Sequence, residues 1–168
     1  MNKISYNLLK KLAKRVDLMV FDFDGVFTDN RVSVMENGAE AVFCSRSDGM
    51  GLVMAKEAGL KLLVITREDG RIATARCRKL GIPCIQGCKH KAMALKKETA
   101  KLGISLKSVA YMGNDINDIE CLRIVGLPVC VADGYPEVKK ASLYITKAYG
   151  GKGAIRELCD LVLKAKFN

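Results

Sequence analysis

Short apolar runs alternate with segments of helical periodicity along most of this chain. The apolar runs predict strands at 18–21, 60–66, 83–86, 108–112, 127–131 and 143–145. The intervening segments predict helices at 48–58, 69–80, 90–102, 115–125 and about 152–166. This alternation indicates an α/β fold with a doubly wound, mainly parallel sheet of Rossmann-like type. In such sheets, ligands bind at the carboxyl ends of the strands.

Two further elements lie outside this alternation. An apolar stripe with lysines opposite predicts a short amphipathic helix over 2–16, and the stripe consists of Ile4, Leu8, Leu12 and Val16. After the first strand, Asn37-Gly38 separates two alternating runs. This dipeptide is the strongest short-range hairpin signal, so we expect a β-hairpin flap at about 31–43.

The length and the cysteines indicate one reduced globular domain. A chain of 168 residues predicts a single domain over 1–168. The seven cysteines are odd in number and form no paired Cys-x-x-Cys motifs, so we expect reduced thiols rather than disulfides or a zinc site. Lysines interrupt the N-terminal apolar residues, which argues against a signal peptide. We therefore expect a cytoplasmic protein that does not enter a membrane.

The net charge of +10 raises the question of a nucleic-acid partner. The basic residues are spread over the whole chain, without aromatic interleaving or an RNA-binding motif. Solvated surface charge that also attracts small anions is the simpler interpretation, so we expect no nucleic-acid partner. A nucleic-acid-binding domain remains the alternative, and its affinity would fall steeply with salt.

The first predicted strand ends in two carboxylates. Leu18–Phe21 runs directly into Asp22, Asp24 and Gly25. Because residues two apart on an extended chain point the same way, both carboxylates face one site. Two adjacent carboxylates repel each other, so the pair shares either a proton or a metal ion. Taken alone, Asp-x-Asp is also typical of a turn that caps a strand.

Other predicted strands also end in polar residues. Thr66 closes the second strand, and Lys89 and Lys91 follow the third. Asp115 and Asp118 follow the fourth strand at a helix start, where a spacing of three places them on one face. Carboxylate oxygens bind a hard divalent cation, and lysine and hydroxyl groups bind phosphate. We interpret the set as a site for phosphoryl chemistry.

Together these segments resemble the four motifs of the haloacid dehalogenase superfamily. The motifs are met, in the family's order and over nearly the whole chain, by Asp22-x-Asp24-Gly-Val, Thr66, Lys91 and Gly113-Asn-Asp115-x-x-Asp118. The resemblance implies that Asp22 attacks phosphorus to form an aspartyl-phosphate. It also implies that Asp24 first protonates the leaving alcohol and then activates water.

The same resemblance implies a metal and a phosphate site. Mg²⁺ would be held by Asp22, the backbone carbonyl of Asp24 and Asp115, with Asp118 in support. Thr66 and Lys91 would bind the phosphoryl oxygens. Lys91 is preferred to Lys89 because the family pattern is Gly-x-x-x-Lys.

The chain most resembles a subgroup of this superfamily that has no cap domain. The subgroup consists of phosphatases of 2-keto-3-deoxy sugar-acid phosphates. The features that match it are the motif Asp24-Gly-Val-Phe-Thr28-Asp29, the flap, and the glycine-rich segment Gly150–Gly153. The subgroup implies a homotetramer in which Gly150–Gly153 lies near a neighbouring subunit's active site, with Thr28 at the substrate. Without the resemblance, Gly150–Gly153 would be interpreted as a flexible loop before the last helix.

Substrate choice depends on the loop and helix after the second strand. Glu68, Arg76 and Lys79 resemble the pattern of the nine-carbon, sialic-acid-like enzymes, although Arg67 replaces a usual glycine. We therefore favour a nonulosonate 9-phosphate, with an exposed helix face as the structural alternative for these residues. The other candidates are an octulosonate 8-phosphate phosphatase of lipopolysaccharide synthesis and a non-catalytic partner of a cytidylyltransferase. A non-catalytic relative would be expected to lack one of the motif aspartates.

Overall fold

A six-stranded parallel sheet forms the centre of the computed structural model, which describes residues 4–167. Its strands are β1 Leu18–Phe21, β4 Lys61–Ile65, β5 Cys84–Ile85, β6 Val109–Gly113, β7 Leu127–Cys130 and β8 Tyr144–Ile145, and β2 Ser33–Val34 and β3 Glu40–Ala41 form a separate hairpin. The six strands of the sheet lie in the order β5-β4-β1-β6-β7-β8. This arrangement confirms the predicted α/β fold with a parallel sheet.

Helices cover both faces of the sheet. Their bounds are α1 Tyr6–Lys14, α2 Arg46–Glu57, α3 Arg71–Leu80, α4 Lys91–Leu102, α5 Ile119–Leu122, α6 Pro136–Ala141 and α7 Ala154–Phe167. Met19 and Phe21 belong to the core under α1, α2, α3 and α7, whereas Leu18 and Val20 belong to the core under α4, α5 and α6. Because β1 is apolar on both sides, it occupies the middle of the sheet. Within residues 4–167, no helix is long and apolar enough to cross a bilayer.

The predicted flap is present as a two-stranded antiparallel hairpin. Its strands are β2 Ser33–Val34 and β3 Glu40–Ala41, and Val34 lies opposite Glu40. The turn between them closes through the Asn37 side chain, which accepts the Ala39 N–H at 3.0 Å. Between β1 and α2 the described chain has no other insertion, in agreement with a fold that lacks a cap domain.

The helix predictions were wrong in three places. The segment predicted as one helix over 115–125 consists of a 3₁₀ turn, Ile116–Asp118, and the short helix α5. The helix does not start at residue 115 because the Asp118 side chain turns back and accepts backbone N–H groups of the preceding loop. Helix α6 was missed, although Pro136 stands at its first turn. The first helix begins at Tyr6 rather than at residue 2; residues 2 and 3 of that prediction lie outside the described part of the chain.

The glycine-rich segment before α7 packs on the loop that follows β1. A side chain at Gly150 would place its Cβ 1.9 Å from the Gly25 carbonyl oxygen, and the Gly151 N–H donates to the Val26 carbonyl at 2.9 Å. The Gly150 N–H donates to Asp133 Oδ1 at 2.9 Å. Glycine at position 150 therefore allows two backbone segments to meet directly beside the first strand end.

Asp48 links α2 to the same segment. Its carboxylate is buried and accepts the Gly153 N–H at 3.2 Å and the Arg156 N–H at 2.8 Å. The Gly153 N–H directly precedes α7 and the Arg156 N–H lies in its first turn, so neither has an acceptor within that helix. A side chain 105 residues away in sequence thus caps the helix that carries much of the core.

We predict that Asp48→Ala lowers the free energy of unfolding by about 1–2 kcal/mol, because two N–H groups at a helix start lose their acceptor. Urea denaturation would measure the change. Asp160→Ala is the matched control, since Asp160 is half exposed on α7 and pairs only with Arg156 at the surface; its effect should stay within about 0.5 kcal/mol. Equal effects of the two substitutions would contradict the capping role.

Candidate active site

Residues from three strand ends line one cavity of about 170 Å³. The cavity is lined by Asp22, Asp24, Asn30, Thr66, Arg67, Glu68, Asn114, Asp115 and Asn117. They meet because β1 is flanked by β4 and β6, and parallel strands end at the same edge of the sheet. The structure therefore brings together Asp22, Asp24, Thr66 and Asp115 of the predicted strand-end residues, whereas Asp118 is fully buried and does not line the cavity.

A buried lysine holds the two most enclosed carboxylates. Lys91 Nζ lies 2.8 Å from Asp22 Oδ2 and 2.9 Å from Asp118 Oδ1. It also donates to Asn117 Oδ1 at 3.2 Å. All three charged groups are buried, whereas Lys89 is exposed. The geometry thus distinguishes the two lysines in favour of Lys91.

Burial and charge shift the pKa values of this group. Burial and the nearby Asp118 charge raise the pKa of Asp22, and the contact with Lys91 only partly offsets them. Burial alone would lower the pKa of Lys91, but the two carboxylates outweigh it and hold that pKa above its ordinary value. Lys91 is therefore a permanent positive charge, and Asp22 would be more readily ionised if a further cation were bound.

Asp118 organises the loop after β6. Its Oδ1 accepts the Tyr111 hydroxyl at 2.7 Å as well as Lys91, and its Oδ2 accepts the Asn114 N–H at 2.9 Å and the Asp115 N–H at 3.3 Å. Both oxygens are thus occupied by protein donors. Tyr111 was missed by the sequence analysis, although a tyrosine inside an apolar strand signals a polar tip that needs a buried partner.

Asp24 is the second carboxylate of the cavity and is half-buried. Its pKa is raised, first by burial and then by the nearby charges of Glu68 and Glu40, with Lys91 acting in the opposite direction. A carboxyl group whose pKa is raised retains its proton closer to neutral pH. Asp24 is therefore suited to donate a proton at this site.

The candidate metal ligands are oxygen atoms of different kinds. Within residues 4–167, no three Asp, Glu, His or Cys side chains form a metal-binding cluster alone, so amide or carbonyl oxygens are needed as well. Asn114 supplies one: its Oδ1 is buried without a hydrogen-bond partner, and it lines the cavity beside Asp22 and Asp115. This set fits a hard cation such as Mg²⁺. Asn114 was not identified from the sequence, because an amide oxygen without a hydrogen-bond partner can be recognised only in the folded chain.

Gly25 is required by this arrangement. It has a φ of 76°, and a Cβ at this position would lie 2.0 Å from the Asn114 amide nitrogen. The absence of a side chain at Gly25 therefore lets Asn114 pack against the loop that carries Asp24. The glycine of the Asp-x-Asp-Gly motif is thus required by its contact with Asn114, which lies about 90 positions later in the chain.

Thr66 is positioned to donate a hydrogen bond into the cavity. Its Oγ1 accepts the Glu68 N–H at 3.2 Å, which leaves the hydroxyl hydrogen available for an anion. Arg67 also lines the cavity and is exposed. The arginine that departs from the usual family glycine thus adds a positive charge at the rim.

Three predicted substrate residues lie away from the cavity lining. Thr28 is buried, and its Oγ1 accepts the Gly25 N–H at 3.1 Å and the Asn30 N–H at 3.2 Å, so it stabilises the loop. Arg76 Nη2 donates to the Ser45 carbonyl at 3.2 Å, and Lys79 is exposed on α3. Of the predicted substrate residues, Glu68 is the one that lines the cavity.

Comparisons with known proteins identify the family of this chain. Residues 84–158 match the family model of the haloacid dehalogenase-like hydrolases. The chain is 35% identical over 164 residues to the 3-deoxy-D-manno-octulosonate 8-phosphate phosphatase KdsC of Escherichia coli, covering 97% of this chain and 87% of that protein.

Solved structures show the same relationship. One is the 3-deoxy-D-manno-octulosonate 8-phosphate phosphatase of Moraxella catarrhalis in complex with magnesium, phosphate and KDO (36% identity, TM-score 0.94, covering 96% of this chain and 94% of that one). Another is the cobalt-bound deoxy-D-mannose-octulosonate 8-phosphate phosphatase of Haemophilus influenzae (29% identity, TM-score 0.89, covering 92% and 91%). The chain therefore belongs to the haloacid dehalogenase-like hydrolases, in the capless group that contains the octulosonate 8-phosphate phosphatases.

Proposed function

We propose that this protein is a magnesium-dependent phosphatase of 2-keto-3-deoxy sugar-acid phosphates. The observation that carries the proposal is the contact of Asp22 with buried Lys91, because Asp22 lines the same cavity as Asp24 and Thr66. A nucleophile, a proton donor and anion-binding groups thus lie around one space. The relatives named above support the sugar-acid class of substrate.

The reaction begins at Asp22. Its Oδ1 accepts the Phe23 N–H at 2.7 Å and its Oδ2 contacts Lys91, so the carboxylate has a fixed orientation. A carboxylate oxygen forms a bond to phosphorus while the bond from phosphorus to the ester oxygen breaks, and Asp24 gives its proton to the leaving oxygen. Asp24 then takes a proton from water, which attacks the aspartyl-phosphate and releases inorganic phosphate and Asp22.

The remaining residues position and neutralise charge. Thr66 donates to a phosphoryl oxygen, and Lys91, which does not line the cavity, balances the charge of Asp22. Direct contact of Lys91 with the phosphoryl oxygens stays a prediction. Mg²⁺ would be held by Asp22, the Asp24 carbonyl, Asp115 and Asn114, and when bound it neutralises the phosphoryl oxygens. We assign Asp118 a supporting role, because its oxygens accept four protein donors and thereby fix Lys91 and the loop carrying Asn114.

Two sugar acids remain candidates for the substrate. The relatives are named for the eight-carbon acid, whereas the Glu68, Arg76 and Lys79 pattern favours the nine-carbon acid. Only Glu68 of that pattern lines this chain's own cavity. The nine-carbon substrate therefore stays a prediction, and so does the use of Arg76 and Lys79. We also infer a cytoplasmic location, which the seven free cysteines support.

We predict Mg²⁺-dependent phosphate release from octulosonate 8-phosphate or nonulosonate 9-phosphate, with either preferred to p-nitrophenyl phosphate.

Asp22→Asn should lower kcat by about 10³-fold or more because the nucleophile is lost. Steady-state phosphate release measures both. Asp17→Asn is the matched control, since Asp17 precedes the opposite end of β1 and pairs with Lys166 at the surface. Full activity of Asp22→Asn would refute the mechanism, and preference for an unrelated ester would refute the substrate class.

Asn114→Ala should weaken Mg²⁺ binding by about tenfold or more, because the proposed amide-oxygen ligand is lost. Asn114→Asp should tighten it by adding a negative charge to the site. Calorimetric titration with Mg²⁺, and with Mn²⁺ followed by electron paramagnetic resonance, measures binding without turnover. Asn37→Ala in the hairpin turn is the control for removal of an amide. Unchanged binding in Asn114→Ala would exclude Asn114 as a ligand.

We also propose that the protein is a homotetramer assembled through the flap and the outer side of α2. Apolar side chains are exposed there, and the group consists of Met35, Phe43, Met50 and Met54. Clustered exposed apolar groups mark protein interfaces. The glycine-rich segment contacts this chain's own loop after β1, so its contact with a neighbouring active site stays a prediction.

Phe43→Ser should lower the molecular mass in solution, because Phe43 is 81% exposed in the single chain and its ring would be buried in the assembly. Light scattering after size exclusion measures the mass. Phe167→Ser is the matched control, since Phe167 is also exposed, at 62%, but lies at the end of α7. A wild-type monomer would refute the tetramer, and an unchanged mass of Phe43→Ser would refute this interface.

A further inference from the structure

A second cavity of about 290 Å³ lies between the hairpin and the start of α3, and we call it the flap cavity. It adjoins the cavity at the strand ends, because Asp24, Asn30 and Glu68 line both. A phosphate ester bound beside Asp22 would therefore extend its organic part past Asp24 into the flap cavity.

The hairpin supplies one wall of this cavity through alternate residues. Val32, Glu40 and Val42 line it, as expected for side chains that share one face of two paired strands. Phe43 follows Val42 and is exposed on the other face. Strand pairing therefore points the Glu40 carboxylate at the space beside Asp24.

Asn30 sets the entry to the hairpin. It is the one non-glycine residue with a positive φ, 62°, in the described part of the chain, and its N–H donates to Thr28 Oγ1 at 3.2 Å. Asparagine tolerates this left-handed conformation better than most residues. The loop that follows Asp24 thus turns at Asn30, so that the hairpin lies over the flap cavity rather than away from it.

The lining of the flap cavity favours hydroxyl groups over carboxylates. Three lining side chains are acidic, namely Asp24, Glu40 and Glu68. Among the lining residues, Arg31 is the one cation, and its guanidinium is paired with Asp29 at 2.9 Å. Carboxylate oxygens accept hydrogen bonds and repel other anions. The opposite wall is apolar, formed by Phe23, Ile72 and Ala73.

We propose that the flap cavity binds the hydroxylated carbon chain of the substrate and that Glu40 is a specificity-determining residue. This inference rests on the proposed phosphatase function. The carboxylates of Glu40 and Glu68 accept hydrogen bonds from substrate hydroxyls on two sides, and the C–H face of the chain lies on the apolar wall. The carboxylate of the sugar acid lies outside the flap cavity, away from the three acidic side chains.

The test is the substitution Glu40→Gln, assayed at saturating Mg²⁺ on two esters. For the sugar-acid phosphate that the wild type prefers, kcat/KM should fall about tenfold, mainly through KM, because a hydrogen bond to a charged group is weakened. For p-nitrophenyl phosphate, which has no hydroxyl chain, kcat/KM should stay at the wild-type value. An effect of the lost charge on the proton of Asp24 would instead lower kcat for the sugar-acid phosphate and shift its pH profile, because an alkyl leaving group needs the acid whereas p-nitrophenolate does not. A loss in KM at unchanged kcat therefore identifies the hydrogen bonds of Glu40, and a loss in kcat alone would contradict them.

Glu36→Gln is the matched control, since Glu36 is an exposed acid of the same hairpin that does not line the flap cavity. It should change neither value. Glu40→Gln with an unchanged preference for the sugar acid, or with equal losses on both esters, would overturn the role of Glu40. A wild-type protein that releases no phosphate from either sugar-acid phosphate would instead overturn the proposed function.

Discussion

The buried contact of Lys91 with Asp22 and Asp118 is the interaction on which the rest of the site depends. Taking these three charges out of water costs several kilocalories per mole for each, and the cost is offset only when every charge has close partners. Lys91 meets this condition through two carboxylates within 2.9 Å, and Asp118 through four donors. The negative charge left over is what a hard cation would balance. The same cluster of charges therefore orients the nucleophile Asp22 and leaves a negative charge that attracts a metal ion.

The loops around this contact hold one another in place. The loop after β1 packs against the Asn114 side chain on one side and against Gly150 on the other. Asp48 joins α2 to the start of α7, so the helix that follows the flap is connected to the same glycine-rich segment. Because each of these contacts uses backbone groups, a small shift in one segment would move the others. The flap itself has few such contacts and is exposed, which suits a part that closes over a substrate.

Most strands and helices, and the carboxylate and hydroxyl residues of the candidate site, could be predicted from the amino-acid sequence. The strands of the sheet and the residues at their ends, such as Asp22 and Thr66, follow from local apolar runs that stop at polar residues. Helix α6 was missed because six residues are too few to show helical periodicity. The helix predicted over 115–125 was wrong because Asp118 serves a tertiary network rather than a surface face. Asn114 escaped notice because an unpartnered amide oxygen exists only once its surroundings are folded.

Local pattern was sufficient for the strands, most of the helices and the acidic residues at the sheet edge, because periodicity and strand ends are properties of neighbouring residues. Folding alone could bury Lys91 against Asp22 and Asp118, because these residues lie far apart in the chain. The folded chain also connects Tyr111 to Asp118 and places Glu40 beside Asp24. It also placed Arg76 and Lys79 outside the cavity, although their helical spacing suggested a shared role with Glu68. Spacing along a helix tells which residues share a face, but the packing of that helix decides what the face meets.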